Sequence, residues 1–346
     1  MTQFTLFTNV DAYYTALKKA LQAAQHHIHL VAFAFDAGHI GRDIGHVLAQ
    51  KAASGVAVHL MVDEVGLYVD NWRHGWRNRQ LLAQLRTSGV EIDLFRPQGK
   101  RISQYNRLHC KFCTIDNKSA FIGGSNIGDY YLGWRDTNLQ LVGDLGNGFV
   151  HLYASLRRFK NHNQPAFCPT DLSVAGMPLR LTIPGHRQDI RRALLTLILA
   201  TKKAVYLRSW YFLPDREIMN ALLSQAERGV HVQILFSHQT RIPPIDIANR
   251  HLCRQLTRAG AHIYRYHGRF MHAKEAWTAE GDSLIGSANI DRWALRTNFE
   301  CSLQISSQPL ARQLTDELQK DLACCQPAKR DFRRRFSVPG IDYLIR

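Results

Sequence analysis

The chain has 346 residues, 45% hydrophobic and 21% charged, which suits one large domain or two ordinary ones with real cores. Lys and Arg number 44 against 28 Asp and Glu, and the formal net charge of +16 favours phosphate as nucleic acid, anionic lipid headgroup or soluble diester without choosing among them. No segment reaches the roughly 18 apolar residues needed to span a bilayer, and the start lacks a basic region followed by an apolar core, so a cytoplasmic protein is expected.

In chain order, residues 24–35 read as a strand, 40–52 as a helix with Ile40, Ile44, Val47 and Leu48 on one face, and 55–63 as a turn and second strand. Residues 82–95 add a helix, a glycine stop and another strand. The same order returns downstream. Residues 203–212 read as a strand, 214–226 as a helix with proline in its first turn, 229–237 as a turn and strand, and 253–266 as helix, glycine and strand. Alternating strands and helices predict an α/β fold of two similar lobes, each a mixed sheet flanked by helices and related by a pseudo-two-fold, with the active site between them. The proline-bearing stretch 160–185 is the natural connector, which puts the lobes at 1–170 and 171–346. Seven scattered cysteines read as reduced thiols; Cys110 and Cys113, at odd spacing in a strand, face opposite ways and are not expected to share a metal or form a redox pair.

Chemistry concentrates in a repeated motif. The first half carries Leu108-His109-Cys110-Lys111 and then Gly123-Gly124-Ser125-Asn126; the second carries Met271-His272-Ala273-Lys274 and then Gly286-Ser287-Ala288-Asn289. The two histidines and the two asparagines are each 163 residues apart, so internal spacing is kept to the residue. His-x-Lys on a strand turns an imidazole and an ammonium to one face. Two such sets facing each other offer two imidazoles, two ammoniums and two amides around one phosphodiester. Lys111, Lys274, Asn126 and Asn289, with Ser125 and Ser287, would hold the phosphoryl oxygens, while one histidine attacks phosphorus and the other moves a proton. Each ring needs a carboxylate to orient it. Asp136, which follows His109 by 27 residues, and Glu300, which follows His272 by 28, are the candidate orienters.

His109-x-Lys111-x4-Asp116 followed by Gly-Gly-Ser-Asn126 resembles the H-x-K-x4-D signature of the phospholipase D superfamily. The stretches around Asn106–Lys111, Ile122–Tyr131, Trp134–Leu141, Ser209–Pro214 and Gly286–Asp291, with Asn298-Phe299-Glu300, are similar to bacterial cardiolipin synthases. The resemblance covers nearly the whole chain. It implies two lobes sharing one site, a covalent phosphohistidine, a place for Asp116 in the catalytic signature, no cofactor and no metal, and phosphatidyl transfer between lipids that yields cardiolipin. It also implies anionic phospholipids and a membrane surface as partners, met peripherally on the inner face of the cell membrane.

The second motif departs from the signature, with Ala279 where the aspartate should stand and Glu280 beside it. In the superfamily that aspartate supports the lobe interface, so two readings stand: an enzyme with a loosened or substituted support, or a second half losing catalysis. The arginine and phenylalanine tail at 329–336 suits an anionic lipid surface and equally a solvated terminus. The competing functions are a phosphodiesterase or nuclease, which the positive charge would also serve, and a non-catalytic lipid-binding homologue.

Overall fold

Seven strands recur in the same spatial order in both halves. The computed structural model describes residues 2–69, 74–96, 106–162, 171–240 and 242–327. The first half comprises β1 (Gln3–Asn9), α1 (Val10–Gln22), β2 (His27–Ala32), α2 (His39–Ala53), β3 (Ala57–Asp63), α3 (Gly66–Val69), α4 (Gly75–Thr87), β4 (Glu91–Phe95), β5 (Phe112–Ile115), β6 (Ser119–Gly123), β7 (Arg135–Val142) and α5 (Gly148–His162). The second comprises β8 (Ser173–Val174), β9 (Met177–Ile183), β10 (Arg187–Gln188), α6 (Asp189–Ala200), β11 (Ala204–Ser209), β12 (Phe212–Leu213), α7 (Arg216–Glu227), β13 (His231–Ser237), α8 (Pro243–Arg258) and β14 (His262–Tyr266). It continues with β15 (Lys274–Thr278), β16 (Asp282–Gly286), β17 (Ile290–Asp291), α9 (Arg292–Arg296), β18 (Glu300–Ser306), α10 (Gln308–Leu322) and β19 (Cys325–Pro327).

The first sheet runs β1, β7, β6, β5, β2, β3, β4; the second repeats this as β9, β18, β16, β15, β11, β13, β14, with short strands added at its ends. Both sheets are mixed. β2, β3 and β4 are parallel, as are β11, β13 and β14, while the motif strands β5 and β15 run antiparallel to β2 and β11. This arrangement brings the ends of β2, β3 and β6 and the starts of β5 and β7 to one edge of the first sheet, and their counterparts to the matching edge of the second.

Local chemistry sets element boundaries. Residues 24–26 were expected in a strand, but the Asp116 carboxylate takes the N–H groups of Gln25, His26 and His27 at 2.7–2.8 Å, so pairing starts at His27. Pro214 was expected inside a helix; it lies before it, because Asp215 acts as the N-cap and accepts from the N–H of Glu217 and of Ile218 at 3.2 Å. Cys110 and Cys113 are both buried and face different apolar clusters, as their odd spacing predicted.

Each sheet buries its outer face under helices, around Leu17, Leu48 and Leu60 in the first half and Leu194, Leu222 and Leu252 in the second. The inner faces share one core. Phe112 and Leu139 of the first sheet, Leu181, Trp277 and Leu303 of the second, and side chains of α5 and α10 belong to a single buried cluster. The lobes are therefore joined by apolar packing, which fixes their relative position far more firmly than a polar domain contact would.

An ionic group also crosses this interface. Arg135, at the start of β7, donates from Nε and Nη2 to the Asp321 carboxylate of α10 at 2.9 and 2.8 Å. Arg208 donates to the same carboxylate and is ion-paired with Glu275, and all four residues are buried. At the equivalent point in the second half, just before β18, Phe299 packs instead on Phe95 and Phe159, with ring centroids 5.0 and 4.6 Å away. One side of the pseudo-two-fold is anchored by charge and the other by aromatic packing.

Candidate active site

Backbone from each lobe enters the other at the sheet edge that carries the His-x-Lys motifs. Leu108 forms an isolated parallel bridge with Phe299, in which the His109 N–H donates to Phe299 O at 2.8 Å and the Phe299 N–H to Arg107 O at 2.9 Å. Met271 pairs the same way with Arg135: the Arg135 N–H donates to Phe270 O at 2.9 Å, and the His272 N–H to Arg135 O at 2.8 Å. His109 and Lys111 lie in this extended segment just before β5, not within the strand as expected.

The bridges decide which carboxylate meets which ring. His109 Nδ1 lies 2.8 and 3.0 Å from the two Glu300 oxygens, and His272 Nδ1 lies 2.8 Å from Asp136 Oδ2. The spacing of each histidine from the carboxylate following it in its own half is thus not the pairing: the contacts are crossed between lobes. A carboxylate only accepts, so each ring donates from Nδ1 and keeps Nε2 as the nitrogen with a lone pair.

Burial dominates the electrostatics. It lowers the pKa of His109 against the opposing pull of Glu300, and with Lys274 it brings His272 down to about 3. Burial also lowers Lys111 to about 8 and Lys274 to about 7. Burial would raise Asp136, but His272 and Lys274 outweigh it and hold the carboxyl below its ordinary value. The site therefore holds neutral imidazoles beside lysines whose pKa values lie near neutrality, and an incoming anion would favour the protonated lysines.

Lys111 and Lys274 each donate to the carbonyl of the histidine two residues earlier. Asn126 accepts the Ala34 N–H at 3.2 Å, which leaves its amide donors for other partners. Asn289 is buried, and its Oδ1 has no partner among the described residues. The expected phosphate-binding serines are placed differently. Ser125 donates to Asp136 at 3.0 Å and Ser287 to Glu300 at 2.5 Å, so both hydroxyls steady the carboxylates. Gly124 serves the same packing, since a Cβ there would lie 2.2 Å from Asp136 Oδ1.

Asp116, expected with the catalytic group, sits at the far end of β5 from His109. It has a left-handed backbone (φ 53°), and its carboxylate gathers the three N–H groups that start β2. Its support is within one lobe rather than across the interface. Glu280 performs the same task in the second lobe, accepting from Thr201 Oγ1 at 2.7 Å and from the N–H of Lys202 and Lys203 at 2.9 and 3.0 Å before β11. The longer glutamate, one residue later, replaces the aspartate missing at Ala279. The support itself is thus substituted.

Several contributors were not read from the sequence. Phe33 packs on the His109 ring at 5.4 Å, and Trp134 and Trp210 on the His272 ring at 5.1 and 5.5 Å. Asp63 is fully buried and accepts the Leu108 N–H at 2.8 Å, which pins the segment leading into His109. Trp134 stands two residues before Asp136, and Phe33 and Trp210 directly follow β2 and β11; those adjacencies were the available signals. Among the described residues no group of three or more His, Cys, Asp or Glu could hold a metal ion, and no helix is long and apolar enough to cross a membrane. The tail at 329–336 and residues 163–170 of the expected connector lie outside the described residues.

Comparison with known proteins agrees with this architecture. A family model described as cardiolipin synthase, PLD-like domain, matches residues 17–143 and 194–322, once in each lobe. Cardiolipin synthase 1 of Bacillus cereus is 31% identical over 86% of this chain and 62% of its own length. Cardiolipin synthase of Geobacillus thermodenitrificans is 29% identical over 99% of this chain and 72% of its own. The chain thus spans about two thirds of the curated relatives it matches. Among solved structures, phosphatidylserine synthase from Haemophilus influenzae superposes with a TM-score of 0.74 at 15% identity, covering 94% of this chain and 87% of that one. Polyphosphate kinase from Porphyromonas gingivalis gives 0.63 at 16% identity, over 94% and 48%. At those identities the likeness is one of fold. With both motifs, both orienting carboxylates and two matches to one family model, the chain belongs to the phospholipase D-like family of the cardiolipin synthases.

Proposed function

We propose that the protein is a phosphatidyltransferase that joins two phosphatidylglycerol molecules into cardiolipin and glycerol through a covalent phosphohistidine. The observation that carries the reading is the crossed pair of carboxylate-held histidines, each beside a lysine of lowered pKa. The names of the relatives supply the substrate class.

His109 has the more open side chain, 14% exposed against 6% for His272, and is assigned the attack. Its Nε2 lone pair forms a bond to phosphorus while the bond to the glycerol oxygen breaks. His272 delivers its proton to that oxygen; burial keeps the ring neutral in the free protein, and the anionic diester raises its proton affinity on entering. Lys111, Lys274, Asn126 and Asn289 face the charge spread over the non-bridging oxygens. A hydroxyl of a second phosphatidylglycerol then gives its proton to His272 and attacks phosphorus, the bond to His109 breaks, and cardiolipin leaves. Asp136 and Glu300 hold the rings throughout, and Ser125 and Ser287 hold the carboxylates.

The test is incubation with phosphatidylglycerol vesicles, with products followed by mass spectrometry beside a single-stranded DNA digest. Cardiolipin and glycerol that vanish in His109→Ala support the transferase. Phosphatidic acid alone makes the protein a hydrolase, and cleaved DNA with untouched lipid makes the positive surface a nucleic-acid groove and removes the proposal.

A further inference from the structure

Exposed apolar side chains are not spread evenly over the surface. Among the described residues eleven large hydrophobics are exposed, and nine of them issue from the catalytic edges of the two sheets. Val65, Tyr68, Val69 and Trp76 lie in the connection that leaves the end of β3 and in the first turn of α4. The equivalent connection after β13 carries Ile242 just before α8 and Ile247 in its second turn. Tyr130 and Leu132 follow the Gly-Gly-Ser-Asn motif, and Trp293 stands 163 residues after Tyr130 at the matching place in the other lobe. The remaining two, Val142 and Leu199, are at the opposite edge, at the end of β7 and the end of α6.

This distribution continues into the active site. The Tyr130 ring lies 5.2 Å from Trp134, which packs on His272, and a Cβ at Gly66 would strike the carbonyl of Phe33, which packs on His109. Cations are interleaved with the aromatics: Arg77 lies over Trp76 at 5.4 Å, Arg79 over Tyr68 at 5.6 Å, and exposed Arg292 precedes Trp293. The nearby acids are engaged locally, Glu64 by Arg79 and Asp129 by the first N–H groups of α2.

We infer that the catalytic edges of both lobes form one face that docks on an anionic lipid bilayer, with Trp76 and Trp293 as paired anchors in the headgroup layer. Tryptophan and tyrosine suit that layer because one end of the ring is apolar and the other polar, and arginine beside them meets lipid phosphate. The net charge of +16 adds attraction of the right sign. The occupant is a membrane because the anchors issue from the same sheet edges as a site whose proposed substrate stays in a bilayer. The inference rests on the lipid-substrate reading in that respect and adds the face and orientation of docking.

The experiment is sedimentation with vesicles of equal parts phosphatidylglycerol and phosphatidylcholine, using the full chain, Trp76→Glu, Trp293→Glu, the double variant, and Leu199→Glu as a control on the opposite edge. Turnover of a water-soluble phosphodiester is measured beside it. Each tryptophan change should weaken vesicle partition about ten-fold, and the double variant more, with soluble turnover unchanged and Leu199→Glu binding like the parent. Equal binding by all variants overturns the docking face. So does a dimer of the parent that the double variant loses while its vesicle binding persists, because the face would then be covered by a second copy. Vesicle binding lost in the anchor variants of a protein that processes no lipid keeps the face and removes the function instead. Lipid turnover with no effect of the variants does the reverse.

Discussion

Glu300 orients a histidine 191 residues away in the other lobe: its carboxylate lies 2.8 Å from Nδ1 of His109. The reciprocal contact, Asp136 to His272, spans 136 residues. Neither lobe alone contains a complete histidine and carboxylate pair, so the site exists only when the interface is assembled. Glu300→Gln should remove the strongly downfield imidazole N–H resonance of His109 and leave that of His272, and Asp136→Asn should do the opposite. Each should reduce turnover by up to about 10⁴, the loss seen when the carboxylate orienting a catalytic histidine is neutralised. A Glu300→Gln variant that alters only the His272 resonance would mean that the pairing is not crossed.

Arg135 and Arg208 converge on Asp321 inside the interface. Asp321→Ala leaves both guanidiniums buried with that partner removed, and chemical denaturation should show a loss of about 3–5 kcal/mol. Phe299→Ala, on the aromatic side of the pseudo-two-fold, should cost about 3–5 kcal/mol through the cavity it opens.

The Glu280 clamp makes Ala279→Asp neutral. Restoring the signature aspartate should leave turnover within about two-fold and stability within about 0.5 kcal/mol, because the N–H groups of Lys202 and Lys203 already have their acceptor. Glu280→Ala should cost about 1–3 kcal/mol by freeing these donors. A clear rise in activity on Ala279→Asp would show that Glu280 is an incomplete substitute.

Anion binding should weaken as pH rises. Lys274 and Lys111 are lowered by burial to about 7 and about 8, so above those values the free site has lost the charges that an oxyanion needs. Sulfate keeps its charge across this range, and its dissociation constant, followed by titration calorimetry, should rise about ten-fold per pH unit above 7 and more steeply above 8. The protein should take up protons as sulfate binds. Affinity independent of pH from 6 to 9 would mean that the lysines are fully charged throughout.

Much of this molecule could be read from the chain because it is written twice. The constant spacing of His109 from Asn126 and of His272 from Asn289 located both motifs, and the alternating strands and helices gave mixed sheets in two similar lobes. The crossing was not legible. A pseudo-two-fold makes the two halves equivalent, so distances along the chain from each histidine to a carboxylate carry no information on which lobe supplies the partner; only the Leu108 to Phe299 and Met271 to Arg135 bridges do. Asp116 was read with the chemistry because it shares a signature with His109 and Lys111, yet four strand residues carry it to the far end of β5. Ser125 and Ser287 could donate to phosphate or carboxylate equally well, and only the approach of Asp136 and Glu300 distinguishes the two. The buried ionic group needed α10 to fold back on β7, a contact with no local sequence signal.

The most direct test of the central claim is to react the His272→Ala variant with a phosphatidyl ester of p-nitrophenol, whose leaving group departs without an acid, then quench, digest, and map covalent adducts by mass spectrometry. The account predicts a phosphatidyl group on His109 Nε2 that persists because His272 is absent to activate the second alcohol, and no adduct in His109→Ala. An adduct on neither histidine in the parent or either variant, with cardiolipin still formed by the parent, would contradict covalent catalysis by this pair.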